Sequence, residues 1–173
     1  MWKEFLKRRT ENIETTLRLD GGAGLVAFQA FFSDSSDQSS EDMSFPNTSA
    51  PIVFPHVPLN VIDAYDSQTG KFTVPKENIY LLATRVSTAF GSGSAIFSIY
   101  RNEQVLAKAE THSLRQEPDG VTAVAIARLE RGEVVEVRSE LTSSARIYRG
   151  SNTWFLAISL NPSMKDSTPI AVA

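Results

Sequence analysis

The spacing of apolar positions changes character near residue 22 of this 173-residue chain. Residues 2–19, WKEFLKRRTENIETTLRL, place Trp2, Leu6, Ile13 and Leu17 at roughly helical spacing, with Arg9 interrupting the stripe. That spacing predicts a short amphipathic helix. Alone it would be marginal in water, so it frays, packs on the domain, or associates with copies of itself as a stub of coiled coil. Asp20-Gly21-Gly22-Ala23-Gly24 reads as a hinge, and from Leu25 the pattern becomes β. The expected organisation is a helix and hinge over 1–22, one β domain over 23–161 and a flexible tail over 162–173.

Beyond the hinge, runs rich in Val, Ile, Phe and Tyr recur every eight to twelve residues or so, the spacing of an antiparallel sandwich or barrel. They predict ten strands, near 24–32, 51–55, 60–64, 71–74, 78–90, 94–101, 104–111, 121–130, 133–139 and 152–160. Tyr100-Arg101-Asn102-Glu103-Gln104-Val105 reads as a tight hairpin, and Leu129-Glu130-Arg131-Gly132-Glu133-Val134 as another with its glycine at the turn, so neighbours in sequence are expected to pair. Ser33 to Ser49 is polar, acidic and serine-rich, and predicts a mobile surface loop. Around Phe72 the punctuation is dense. Thr69-Gly70 supplies a residue tolerant of positive φ, and Pro75 ends the run. Lys76-Glu77-Asn78 predicts a second turn, with Asn78 able to enter the left-handed region before a strand apolar on both faces.

Composition narrows the function more than the fold. With 42% hydrophobic residues the chain can bury one real core. A net charge of −3 and a pI near 5.4 provide no electrostatic footprint for nucleic acid. No apolar run reaches membrane-span length and the first residues lack the apolar centre of a signal peptide, so a soluble chain without membrane insertion is expected. The absence of cysteine removes disulfides, thiol catalysis and cysteine-based zinc sites together.

Several segments resemble the globular head of complement C1q within the tumour-necrosis-factor-like jelly rolls. Asn60, Tyr65-Asp66, Thr69-Gly70-Lys71-Phe72-Thr73, Val74-Pro75 and Tyr80 resemble the central signature of that family. Val26 to Ala30 resembles its first strand, Arg101 to Val105 its Asn-Gly-Glu hairpin, and Leu129 to Val135 its Leu-x-x-Gly-Asp-x-Val turn. The likeness spans about residues 24–160. It departs at Thr153-Trp154-Phe155-Leu156-Ala157, which keeps an aromatic but lacks the small residue and glycine usual there, and at Asn78, which replaces a glycine. The resemblance implies an all-β, ten-stranded jelly-roll sandwich, preceded here by the short helix. It also implies a secreted homotrimer that buries aromatic residues along its threefold axis. Phe72, Tyr80, Phe97 and Trp154 are the candidates for core or trimer contact.

The implied function is non-enzymatic recognition of a glycan or protein ligand through exposed loops, in the manner of an innate-immunity lectin. The alternative is a structural or cytokine-like trimer, such as the tip of a fibre or stalk. Only His56 and His112 are present, too few for a metal cluster of the cupin type, and no serine sits in Gly-x-Ser-x-Gly. Gly91-Ser92-Gly93-Ser94 lacks the lysine and following helix of a phosphate loop. No cofactor is therefore required. Calcium is the one metal the resemblance suggests. Some relatives hold it with acids in the loop before the Leu-x-x-Gly strand, a position that falls on Asp119 with Glu117 two before it. Pro118-Asp119-Gly120 is equally a plain turn sequence.

Overall fold

Strands too short to enclose a core alone must pair with partners far along the chain, and that pairing sets the architecture. The computed structural model describes residues 24–32, 43–44, 50–88, 93–113, 119–140, 146–147 and 150–160. Among them run twelve strands: β1 Ala27–Phe31, β2 Met43–Ser44, β3 His56–Asn60, β4 Tyr65–Asp66, β5 Lys71–Thr73, β6 Asn78–Thr88, β7 Gly93–Arg101, β8 Gln104–Ser113, β9 Asp119–Leu129, β10 Val134–Glu140, β11 Arg146–Ile147 and β12 Trp154–Ser159. Sheet A has seven of these. Its long strand β6 pairs with β9 on one side and with β12 and β11 on the other; β12 continues to β1 and then β3, and β11 carries β2. Sheet B has five, in the order β4-β5-β10-β7-β8. All pairs are antiparallel, giving the jelly roll.

The strand boundaries differ from expectation where the chain turns. The run 51–55 forms a single bridge, Pro51 to Arg138, because prolines at 51 and 55 remove the donors a ladder needs. It still belongs to the core, with Ile52 and Phe54 fully buried and the Ile52 amide donating to the Val137 carbonyl at 2.7 Å. The strand expected over 60–64 does not form: β3 ends at Asn60, Val61–Asp63 make a 3-10 turn in which Ile62 and Asp63 take positive φ, and β4 begins only at Tyr65. Strands β2 and β11 have two residues each, too few to show a period. The helix expected over 2–19 and the loop segments 33–42 and 45–49 lie outside the described residues.

Pairing between neighbours in sequence holds for β4 with β5 and β7 with β8, while most other pairs are long-range. The Leu129 to Val134 turn is therefore not a hairpin. It carries the chain from β9 in sheet A to β10 in sheet B. Gly132, at φ 89, donates its amide to the Val74 carbonyl at 2.8 Å and so ties the crossing to the end of β5. At the true hairpin, Asn102 takes φ 51 and its Oδ1 accepts from the Val134 amide at 3.1 Å. Asn78 does not enter the left-handed region. It opens β6, and its Oδ1 accepts from the Ile79 amide at 2.7 Å.

The core fills the space between the sheets with aromatic rings. Phe28 stacks on Tyr65 at 4.6 Å and meets Phe155 edge-on at 5.0 Å, while Phe72 meets Tyr80 edge-on at 5.7 Å. Such pairs contribute about 0.5–1.5 kcal/mol each beyond area burial.

Candidate functional site

Local chemistry first explains the dense punctuation before β6. Asn60 acts as a side-chain clamp: its Nδ2 donates to the Tyr65 carbonyl at 2.8 Å and its Oδ1 accepts from the Tyr65 amide at 3.1 Å. The Tyr65 hydroxyl accepts from the Phe54 amide at 3.1 Å and donates to the Phe54 carbonyl at 3.3 Å, satisfying a non-ladder segment inside the core. Burial pushes the Tyr65 phenol up to about 12. Asp66 organises the next turn by accepting from the Gln68 amide at 2.8 Å and the Thr69 hydroxyl at 2.7 Å. Those bonds, the Thr69 hydroxyl foremost, hold its carboxyl below the usual range. Gly70 closes the turn at φ 75, with its amide on the Asp66 carbonyl at 2.9 Å. A Cβ there would lie 2.5 Å from the Ile52 carbonyl oxygen, so both conformation and space demand glycine.

The candidate residues fall in different places. Phe72, Tyr80 and Phe97 are fully buried between the sheets. Burial also pushes the Tyr80 phenol up to about 12. Trp154 is half-buried on the outward face of sheet A. Asp119 is the first residue of β9, in register with Thr88, and Gly120 follows in the strand opposite Ser87, so these two residues are extended and not a turn. Glu117 lies outside the described residues. Among the described residues no group of three or more His, Asp or Glu side chains could hold a metal ion. His56, on β3, sits 6.4 Å from the Phe31 ring, and His112 lies far from it in sequence on β8. Gly93 and Ser94 belong to β7. No helix among the described residues is long and apolar enough to cross a membrane.

The feature that alternation alone concealed is the outward face of sheet A. Antiparallel register aligns Leu81 of β6 with Ile126 of β9 and Ile158 of β12, and the next outward row aligns Ala83 with Val124 and Leu156. Ile126 is 67% exposed, Val124 56% and Ile79 44%. At the Thr88 end this face closes with Arg85, Trp154 and Thr122 in one row. The two ends of the sandwich also differ. Residues 24 and 160 enter and leave beside Ile79, where Lys76 Nζ donates to the Gly24 carbonyl and the Leu160 amide to the Ile79 carbonyl at 2.8 Å. Thr88, Gly93, Ser113, Asp119 and Glu140 gather at the other end, where the chain passes between strands.

Comparison with known proteins fits this geometry. The C1q domain profile matches residues 30–155. No curated protein matches the chain. Among solved structures, Eiger TNF from S. frugiperda superposes with TM-score 0.64 at 14% identity, covering 83% of this chain and 97% of that one. The globular domain of zebrafish complement 1qA superposes with TM-score 0.58 at 15% identity, over 79% of this chain and 97% of that one. Murine APRIL gives 0.61 at 13% identity, over 79% and 99%. These likenesses establish the jelly-roll fold, and the match over residues 30–155 assigns the chain to the C1q domain family.

Proposed function

We propose that this chain is a non-enzymatic recognition head that assembles as a homotrimer through the outward face of sheet A and engages a protein or glycan ligand with the loops at the Thr88 end. C1q/TNF-like domains typically form trimers and mediate recognition or cytokine-like contacts, and they are typically extracellular. The observation that carries the reading here is the apolar band formed by Leu81, Ile126, Val124, Leu156 and Ile158 on a face that no strand or helix among the described residues covers. Soluble single chains rarely expose a continuous apolar patch of this kind, and burial against copies removes it from water. The placement of the first and last described residues of the domain supports the orientation. Gly24 and Leu160 lie beside Ile79, at the end of the sandwich opposite Thr88.

Light scattering of the purified chain at micromolar concentration tests the assembly, with a trimer expected. A strict monomer would overturn it. A glycan array with the trimer then separates a lectin-like head, which gives saturable sugar binding, from a cytokine-like or structural head, which gives none.

A further inference from the structure

On the outward face of sheet A, Arg128 is held by Glu77, whereas no ion pair or hydrogen bond engages Arg85 among the described residues. Arg85 is half-buried, stands on the long strand β6 and shares its row with Trp154 and Thr122. Its guanidinium has a built resting place. A Cβ at position 120 would lie 2.5 Å from Arg85 Nη2 and 3.0 Å from Ser87 Oγ, so the bare backbone of Gly120 lets the guanidinium lie flat against β9 with the serine hydroxyl alongside. Register places no carboxylate at any outward position of β1, β12, β6 or β9. Glu77, at the other end of this face, is held by Arg128, so a copy of the chain meeting this one around a shared axis brings a further Arg85 and, among the described outward positions of these strands, no free carboxylate. An unpaired charge removed from water is strongly unfavourable, so the assembled face needs an anion from outside the chain.

We infer that Arg85 and Ser87, over the floor provided by Gly120, form a site for a small tetrahedral oxyanion of the phosphate or sulfate class, which neutralises Arg85 when copies of the chain bury this face. A guanidinium fork suits such an oxyanion, and the Ser87 hydroxyl, whose contact to the Asn152 carbonyl is long at 3.4 Å, adds a donor when it turns from that carbonyl to the anion. The inference rests on the assembly proposed above. It adds a regulatory consequence, because an anion that binds only the assembled form stabilises that form by mass action.

The test uses the whole chain in chloride buffer at fixed ionic strength, with sodium phosphate raised to about 10 mM, read by thermal melting and light scattering together. Wild type is expected to remain a trimer and to show a saturable rise in melting temperature of about 3–8 °C. The rise should vanish in Arg85→Gln and shrink in Gly120→Ala, which crowds the guanidinium. In chloride alone, Arg85→Gln should melt at or above wild type, since it removes an uncompensated cation. A trimer whose melting ignores phosphate overturns the oxyanion site and leaves the assembly standing. An equal rise in wild type and Arg85→Gln means an adventitious ion only, and overturns it too. An Arg85→Gln trimer that melts well below wild type in chloride would assign the partner to a carboxylate of a neighbouring copy and also overturn the site. A chain that is monomeric throughout overturns the assembly and this site together.

Discussion

The outward faces of the two sheets use similar strands in opposite ways. Sheet A presents Leu81, Ile126, Val124, Leu156 and Ile158 and, among the described residues, the cation Arg85 with no ion pair. Sheet B presents a charged network closed on itself. Arg138 forks onto Glu103 at 2.9 and 3.0 Å, contacts the nearly buried Glu136 and lies 4.6 Å over the Tyr100 ring. Glu140 accepts from the Lys108 ammonium and the Tyr100 hydroxyl at 2.8 Å each and from the Ser98 hydroxyl at 3.1 Å. The Lys108 contact first, then Tyr100, holds the Glu140 carboxyl below its usual range. The Glu103 contact above all raises Arg138 further above an already high value. A face whose charges are mutually satisfied has little to gain from a partner. A face of bare aliphatics in register has a great deal.

The largest expected effect comes from breaking the apolar face. Ile126→Glu should leave a folded sandwich, because the side chain points away from the core, yet convert a trimer to monomers in light scattering. Lys108→Glu on sheet B should leave the size unchanged. If the sheet B change dissociated the assembly and Ile126→Glu did not, the roles of the faces would be reversed.

Gly70→Val tests the scaffold that both faces share. It places a β-branched residue at φ 75 with its Cβ 2.5 Å from the Ile52 carbonyl oxygen, so a loss of about 3 kcal/mol or more is expected in denaturant unfolding. Wild-type stability in that variant would refute the turn's role. Arg138→Met should cost less, about 2–4 kcal/mol, because Glu136 stays nearly buried without its partner. Sizing should be unaffected, which separates the internal use of charge on sheet B from an interface role.

The smallest effect is the pH dependence of the sheet B network. Glu140 and Glu103 have carboxyls held low, so their stabilising contribution is full above the ordinary glutamate range near 4.5 and fades as pH falls through their folded values. At the other extreme Tyr65 and Tyr80 are raised from 10.0 to about 12, so their contribution is full below pH 10 and fades as pH rises toward 12. Melting temperature should form a plateau between about pH 5 and 10. Glu140→Gln should flatten the acid side by less than about 1 kcal/mol, given its partly exposed partners. An unchanged acid limb in that variant would remove Glu140 from the account.

The corner at Gly70 was legible from sequence because its determinants are close along the chain: the Asp66 turn bonds span two and three residues, and Gly70 advertises its positive φ by being glycine. The 3-10 turn at Val61–Asp63 was not, because Ile62 and Asp63 take positive φ without being residues that announce it. The Gly70 to Ile52 contact was not legible, since a packed backbone leaves no mark on the residues that approach it. Nor was the partner of each strand. Leu129 to Val134 carries hairpin chemistry, and only the docking of β10 between β5 and β7 makes it a crossing between sheets. Along β6 the sequence by itself determined that Tyr80, Leu82 and Val86 share one side and Ile79, Leu81 and Ala83 the other, because a strand alternates with period two. Which side meets the core is a different matter. That, the isolation of Arg85 and the pairing of Glu136 with Arg138 were decided only by the tertiary structure, because alternation distinguishes the sides of a strand and carries no information about what will cover them.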